Sequence, residues 1–270
     1  MSADLVPDDL WERIASLLPA RPPRRHRYPG RLPADDRAAL RGIVYVLRKG
    51  VSWRDVPTEQ IGCSGVTAWR RLRDWTEAGV WWPRLHEVLL AELRKEGLLE
   101  MDDAAIDASH VRALKGGAHA GPSPVDRARP GSKHHLITDR HGTPLAVTLT
   151  SGNRHDVTQL MPLLDAVPPV RGLRGRPCGR PCRVFADRGY DFDKYRRLIR
   201  ARGITPKIAR RGNPHGSGLG KTRWVAERTF AWLHQFKRLR IRYEVRADLH
   251  LALLQLACSL ICLRRLRTSF

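Results

Sequence analysis

Residues Val184–Asp191 read VFADRGYD. The run Cys182–Ala186 is β-prone and ends on Asp187, where Arg-Gly-Tyr-Asp breaks the pattern. A carboxylate at the tip of a buried strand costs folding energy unless a cation meets it. That cation is an arginine or a metal ion. Two further acids share the setting. Asp107 lies on a strand in AAIDAS, and Glu227 lies in RWVAERTFAWL. There Trp224, Val225, Phe230, Ala231 and Leu233 predict a mostly buried helix. Three carboxylates from two strands and one helix can converge on divalent metal, and oxygen-only ligation selects Mg²⁺ or Mn²⁺. Two such ions about 3.5–4 Å apart activate a water or 3′-hydroxyl and stabilise the leaving oxygen at a phosphodiester. Each acid also has an ordinary partner: Arg112 for Asp107, Arg188 for Asp187, and Arg223 four residues before Glu227. Asp102, Asp103, Asp191 and Asp193 can replace any of the three.

The chain of 270 residues carries 49 Lys+Arg against 27 Asp+Glu, a net charge of +22. Its length suits one large domain or two ordinary ones. The charge imbalance points to a polyanion, and nucleic acid is the expected partner. No membrane role is expected: the start, MSADLVPDDLWERI, is acidic with no apolar run behind it. The apolar stretch Leu249–Leu263 is interrupted by His250, Gln255 and Ser259, and is short for a span of about 20 residues. Five cysteines, an odd number, argue for a reducing compartment, hence a cytoplasmic, nucleoid-associated protein.

Helical periodicity is expected over residues 5–20, 35–49 and 82–96, with a short helical turn at Ser52–Pro57. In the segment from Ser64 to Gly79, Val66, Trp69, Leu72 and Thr76 fall at helical spacing toward a core. Arg70, Arg71 and Arg73 cover the rest of that surface. A helix ending at Gly50, a short helix and an Arg-studded helix follow the order of a helix-turn-helix; the plain alternative is a small bundle with a charged face. Residues 21–33 (RPPRRHRYPGRLP) read as a basic arm. A boundary near residue 98 separates this all-helical part, 1–98, from a mixed part, 99–270. In the latter, strands are expected at 103–108, 133–138, 144–150, 182–186 and 205–209, with a hairpin turn at Asp139–Gly142. Residues 111–132 read as loop. Asp156 is a natural N-cap for a helix to Ala166, and helices are expected over 190–202, 223–236 and 249–266. The order is β, ββ, α, β, α, β, α, α.

Five stretches together, AIDAS, GSKHHLITDRHGTPLAVTLTSGNRHD, VFADRGYD, RWVAERTFAWL and RLRIRYE, resemble the catalytic domain of DDE transposases of bacterial insertion sequences. The likeness is to insertion-sequence family five, often merged with family four, and it extends back to VPDDLWERIASLLP and GVSWRDVP. The resemblance implies an α/β fold with an RNase-H-like mixed sheet flanked by helices, behind a helix-turn-helix-like N-terminal domain. It implies Asp107, Asp187 and Glu227 as the catalytic, metal-holding acids, with Mg²⁺ or Mn²⁺ as two ions. The implied activity is binding of terminal inverted repeats, hydrolysis of the end phosphodiester, and transfer of the freed 3′-hydroxyl to target DNA with no covalent intermediate. A homodimer or larger assembly is expected on double-stranded DNA. The family places Tyr, Arg and Lys around the Glu. Here Arg223 fits, the Tyr position is Gly220, the Lys position is His234, and Lys237 lies a turn further on. Arg223, Lys221 and Lys237 are therefore expected on DNA phosphate, along with Lys133 and the three arginines of the 64–79 segment. A catalytically inactive or repurposed DNA-binding protein is the alternative.

Other motifs carry less. GSGLGKT (216–222) misses the phosphate-loop pattern, because His215 stands where its first glycine belongs, so no nucleotide is expected. Cys178/Cys182 and Cys258/Cys262 share a spacing, but the second pair sits on an apolar helix, where buried cysteines are common. His134 and His135 at a strand start suit structural or phosphate roles. Tyr190, Tyr195 and Tyr243 lack the Arg/His frame that a tyrosine recombinase needs.

Overall fold

The computed structural model describes residues 4–21, 26–27, 32–212 and 220–268. The basic arm at 21–33 and the GSGLGKT loop therefore lie largely outside the described residues, as does the side chain of Lys221.

The mixed half is built on strand β1 (Asp103–Ala113), β2 (Gly121–Pro122), β3 (Pro130–Asp139), β4 (Pro144–Ser151), β5 (Arg183–Ala186), β6 (Thr205–Ile208) and β7 (Ile241–Arg242). The main sheet runs β4-β3-β1-β5-β6. β3 is antiparallel to β1 and β4, whereas β5 is parallel to β1 and to β6. This is the RNase-H-like order that the resemblance implied. Residues 111–132 are not simply loop: β1 and β3 stay paired out to Arg112 and Gly131, and the short β2 joins β3 there. The β3–β4 hairpin closes on the buried Asp139, whose carboxylate accepts from His141 N at 2.9 Å and Thr143 N at 2.6 Å.

Helices cover both faces. Successive strand side chains alternate, and cross-strand pairs share a face. Thr148, opposite His135, bonds Gln159 just ahead of helix α6 (Leu160–Ala166) at 3.0 Å. On the other face His134, opposite Ser109, meets His250 at 2.8 Å. His250 belongs to α9 (Ala247–Arg267), which lies beside α8 (Gly220–Gln235). Helix α7 (Asp193–Ala201) packs on β6 and α6. Asp156 is not the N-cap expected: a 3₁₀ turn, Asp156–Gln159, intervenes, and the carboxylate is taken by Lys133.

The N-terminal half holds α1 (Asp8–Ala15), α2 (Asp36–Lys49), α3 (Thr58–Ile61), α4 (Gly65–Glu77) and α5 (His86–Lys95). Asp35 caps α2, and Gly50 ends it in the left-handed conformation. Ser64 caps α4 by accepting from Thr67 N. Gly65 admits no side chain, because a Cβ there would stand 1.7 Å from Trp53 O. The buried stripe of α4 is Gly65, Ala68, Leu72 and Trp75, and Val66 is instead 54% exposed. The helix is rotated about one position from the expected register, since α2 presents Gly42 to Ala68 for close approach.

These helices do not form a separate lobe. α9 packs against α4 and α5, and one apolar core runs from Val6 to Leu266. His86 Nδ1 meets Ser259 Oγ at 3.3 Å and its Nε2 meets Pro144 O at 2.9 Å. α9 is long and apolar enough to cross a membrane, longer than the sequence suggested, but it lies buried at the centre of the fold. Its polar side chains are spoken for. His250 Nδ1 approaches Glu244 Oε2 at 3.4 Å, and Arg238 grips Glu244 Oε1 with two nitrogens at 2.9 and 2.6 Å. Arg238 also donates to Val51 O at 2.9 Å, tying the sheet end to the N-terminal helices. A carboxylate only accepts, so His250 carries its proton on Nδ1 and accepts at Nε2 from His134.

Burial pushes the Glu244 carboxyl up, but the His250 hydrogen bond and the Arg238 charge outweigh it and hold it at about 2. The depressed value means its stabilisation is complete above the ordinary 4.5 and fades as pH falls toward 2. Glu244→Gln is expected to lose on the order of 3 kcal/mol at pH 7, since it leaves Arg238 buried and unpaired. Urea unfolding at pH 7 and pH 3 checks this, with the gap between variant and parent narrowing at the lower pH.

Candidate active site

The pairing of β1 with β5 sets the geometry. The two strands are parallel, in the register Asp103↔Arg183, Ala104↔Val184 and Ala105↔Phe185. Two residues beyond Ala105 and Phe185 stand Asp107 and Asp187. Alternation puts both on the face that Ala105 shares with α8, where Val225 and Ala226 close a small apolar cluster over Ala105. Glu227 follows directly on α8. Arg112, five residues after Asp107, faces the opposite side of the sheet and is no partner for it.

Asp107 is half-buried, and its Oδ1 accepts from Ala108 N at 2.8 Å. Burial pushes its carboxyl up to about 6, the Asp187 and Glu227 charges add to this, and the Ala108 amide and Arg223 charge oppose it. Asp187 ends β5 in extended backbone and caps the turn behind it, accepting from Gly189 N at 2.8 Å. Glu227 is 64% exposed and pairs with Arg223 at 3.6 Å. The expectation that Glu227 lies on a buried helix surface is corrected: α8 buries one stripe, Val225, Ala226, Thr229, Phe230 and Leu233, and leaves Glu227 and Trp224 facing out. The other acids are engaged elsewhere. Asp103 pairs with Arg183 and Asp191 with Arg196, while Asp193 takes Arg210.

Among the described residues no three His, Cys, Asp or Glu side chains already close on one point as a metal cluster. The donor chemistry nonetheless fits a hard divalent cation. Three carboxylates supply oxygen only, and a carboxyl raised by burial and by two neighbouring carboxylates is the group that a cation would return to its charged form.

Tyr190 was weighed in the sequence only as a nucleophile. It is 1% exposed, and its hydroxyl has no hydrogen-bond partner. Burial, then the charges of Asp156, Asp107 and Asp187, push its phenol well above the ordinary range, so it is a neutral group between these acids. Nothing in the sequence flags that placement, because Asp156 reaches the site through the sheet's third dimension.

The expected DNA contacts separate. Arg70 is exposed on α4. Arg71 is held by Asp36 at 3.0 Å, and Arg73 by Asp74 at 2.7 Å. Lys133 is turned inward rather than toward a ligand: it is 6% exposed, and its ammonium donates to Arg154 O and Asp156 Oδ1, each at 2.8 Å. It faces β4 and the turn that follows, which consumes it as a clamp. Lys237 is exposed at the turn after α8, against Gly50. Arg228, unremarked in the sequence, lies between the Trp224 and Trp232 rings at 4.3 and 4.8 Å.

A sheet of this order with acids side by side on its two central strands defines an RNase-H-like nuclease or transferase class. Residues 99–262 match the family model described as "Transposase DDE domain", and residues 6–85 match "Putative transposase of IS4/5 family". The chain belongs to the DDE transposase family. It is 65% identical over 147 residues, 54% of this chain and 70% of the relative, to "Putative transposase for insertion sequence element IS402" of Burkholderia cepacia. It is 31% identical over 140 residues, 49% of this chain and 98% of the relative, to the corresponding protein for element IS6501 of Brucella ovis. The crystal structure of the Mos1 strand transfer complex aligns loosely, at 12% identity and TM-score 0.33, over 96% of this chain and 83% of that one.

The raised Asp107 carboxyl yields a prediction independent of its role. A carboxyl raised from 3.8 to about 6 on folding favours the protonated fold, so its contribution falls as pH rises through that window and is flat above it. Without metal, Asp107→Asn is expected to be more stable than the parent at pH 7 by on the order of 1–2 kcal/mol after solvent screening. The gap closes below pH 4. Thermal melts in EDTA across this range decide it, and a variant less stable at pH 7 sinks the idea.

Proposed function

We propose that this DNA transposase binds the terminal inverted repeats of its element through the helices of residues 1–98. On this reading Asp107, Asp187 and Glu227 then direct phosphodiester hydrolysis and strand transfer. The observation that carries the reading is the β1–β5 register, which sets Asp107 beside Asp187 under α8 in a chain of net charge +22. The three carboxylates are the residues that would hold Mg²⁺ or Mn²⁺, two ions in all. When bound, such ions lower the pKa of a coordinated water or hydroxyl and neutralise charge on the leaving oxygen. Asp107 contributes fixed charge from within β1, and Asp187 from the end of β5. Arg223, one turn before Glu227, both restrains that carboxylate and stands ready for phosphate.

In the first reaction a water oxygen bonds to phosphorus at the element end, the P–O3′ bond breaks, and the element keeps a 3′-hydroxyl. In the second that 3′-oxygen attacks a target phosphorus, and a target 3′-hydroxyl leaves. Bond count and charge are conserved, so no nucleotide is consumed and no protein nucleophile is needed. Joining two ends requires at least a dimer, and the substrate places the protein with the nucleoid.

The test uses a labelled duplex carrying the element's own end, with Mg²⁺, Mn²⁺ or EDTA, and compares parent with Asp187→Asn. Cleavage and joining are expected only with metal and are expected to fall by ~10²–10³-fold in the variant, with DNA binding retained. Equal activity in both proteins makes Asp187 a turn cap only. Binding without cleavage under either metal leaves a DNA-binding protein. Cleavage without joining leaves a nuclease.

A further inference from the structure

A second concave surface opens at the same end of the sheet as the acids. β4 runs parallel to β1, because both are antiparallel to β3, and its end at Ser151 lies level with Val111, four residues past Asp107 along β1. There a cavity of about 780 Å³ lies between two loops, the tip Ser123–Arg129 and the turn Gly152–Asp156.

Both loops are built rather than slack. The tip is closed by Ser123 N on Arg129 O at 2.9 Å, Ala128 N on Ser123 O at 3.0 Å and Arg129 N on Asp126 O at 2.9 Å. Arg127 and Ala128 sit there at φ +47° and +59°, a conformation that side chains other than glycine's adopt at a cost. The turn is pinned from below by Lys133, whose ammonium holds Arg154 O and Asp156 Oδ1. The strand ends under both loops pack closely. A Cβ on Gly152 would stand 3.1 Å from Gly131 O, and one on Gly121 would stand 2.6 Å from Asn153 Oδ1.

The charges have one direction. Asp156 is neutralised by Lys133, which leaves Arg127 and Arg154 as the cations of the two rims. Both are exposed, and neither side chain has a carboxylate partner among the described residues. Two fixed arginines facing one cavity, in a chain already strongly cationic, repel unless an anion joins them. The groove is joined to the acids through the fold, since the Asp156–Gln159 turn packs on the Arg188–Tyr190 turn that follows Asp187.

We propose that this groove, rimmed by Arg127 and Arg154, is a DNA phosphodiester site that holds the strand running on from the acids. Lys133 acts as its internal clamp. The proposal rests on the transposase reading for the identity of the polyanion. The strand belongs to the element end or to the target, and the groove's chemistry is the same for both.

The test measures binding of the full chain by fluorescence anisotropy from about 50 to 200 mM NaCl. One duplex carries the element's end and the other is an unrelated sequence of equal length. The proteins are the parent, Arg127→Ala/Arg154→Ala, and Arg171→Ala/Arg174→Ala. The last pair removes the same charge from the exposed loop before β5, at the opposite end of the sheet. All four side chains are exposed, so the variants fold. Each phosphate contact contributes roughly 0.9 to the slope of log K against log salt. The groove pair is therefore expected to flatten that slope by about 1.8 while the control pair does not. Flattening with the end duplex alone assigns the groove to the element strand, and with the unrelated duplex to the target. An unchanged slope, or equal flattening by the control pair, overturns the proposal. Cleavage by the parent, measured alongside, tests the transposase reading by itself, because the binding slopes are readable whether or not the strand is cut.

Discussion

The parallel pairing of β1 with β5 is the contact on which the site depends. Parallel neighbours cannot be joined by a tight turn and need a long crossover. Here the crossover takes β3, β4 and α6 before the chain returns at Arg183. The pairing fixes register over three residues, and a one-residue slip would send Asp187 to the face away from α8. The ion pair of Arg183 with Asp103 bridges the first pair of that register, at the strands' entry end. It sits four residues from both acids, far enough to fix position without competing for charge.

Raising carboxylates at the end of a sheet sets up a conflict that the fold leaves in place. Asp107 is carried at a pH-sensitive cost, and Tyr190 keeps a buried hydroxyl without a partner. Two other buried acids are met more fully. Glu244 is met by Arg238 and His250, and Asp139 by three backbone amides. The molecule can neutralise a buried acid when only structure is at stake. That Asp107 is left raised where Glu244 is fully paired is the pattern of a site shaped for something else's charge.

The sequence carried this site well because strand tips and turn residues are local signals. VFADRGYD names its own strand, its terminal acid and its turn, and AAIDAS names the first half of β1 and its acid, although the strand runs on to Ala113. The helices were legible where caps are strong, as at Asp35, Gly50 and Ser64. What the sequence could not give was rotation about an axis. Val66 and Glu227 were both assigned to the wrong side of their helices, because tryptophans lie on the boundary of the apolar stripe and blur its centre. Trp69 and Trp224 are partly exposed, and Trp224 lends its face to Arg228 instead of the core. Lys133 shows a related limit. A lysine in a basic chain looks like a ligand for DNA until Asp156, twenty-three residues away, is seen to hold it.

The same constraint explains why the two halves share one core. α9 is too apolar to face water on any side, so it must be covered on all of them. The sheet covers one side, α8 another, and α4, α5 and the Val80–Leu85 segment between them cover the rest. Arg238 fastens that arrangement by holding Glu244 on one side and Val51 O on the other. The N-terminal helices are thereby coupled to the β1 end through rigid contacts, not through a linker. An end held by Arg70 and its neighbours would then meet the acids at a fixed distance and angle, which is what positioning a single phosphodiester for in-line attack requires.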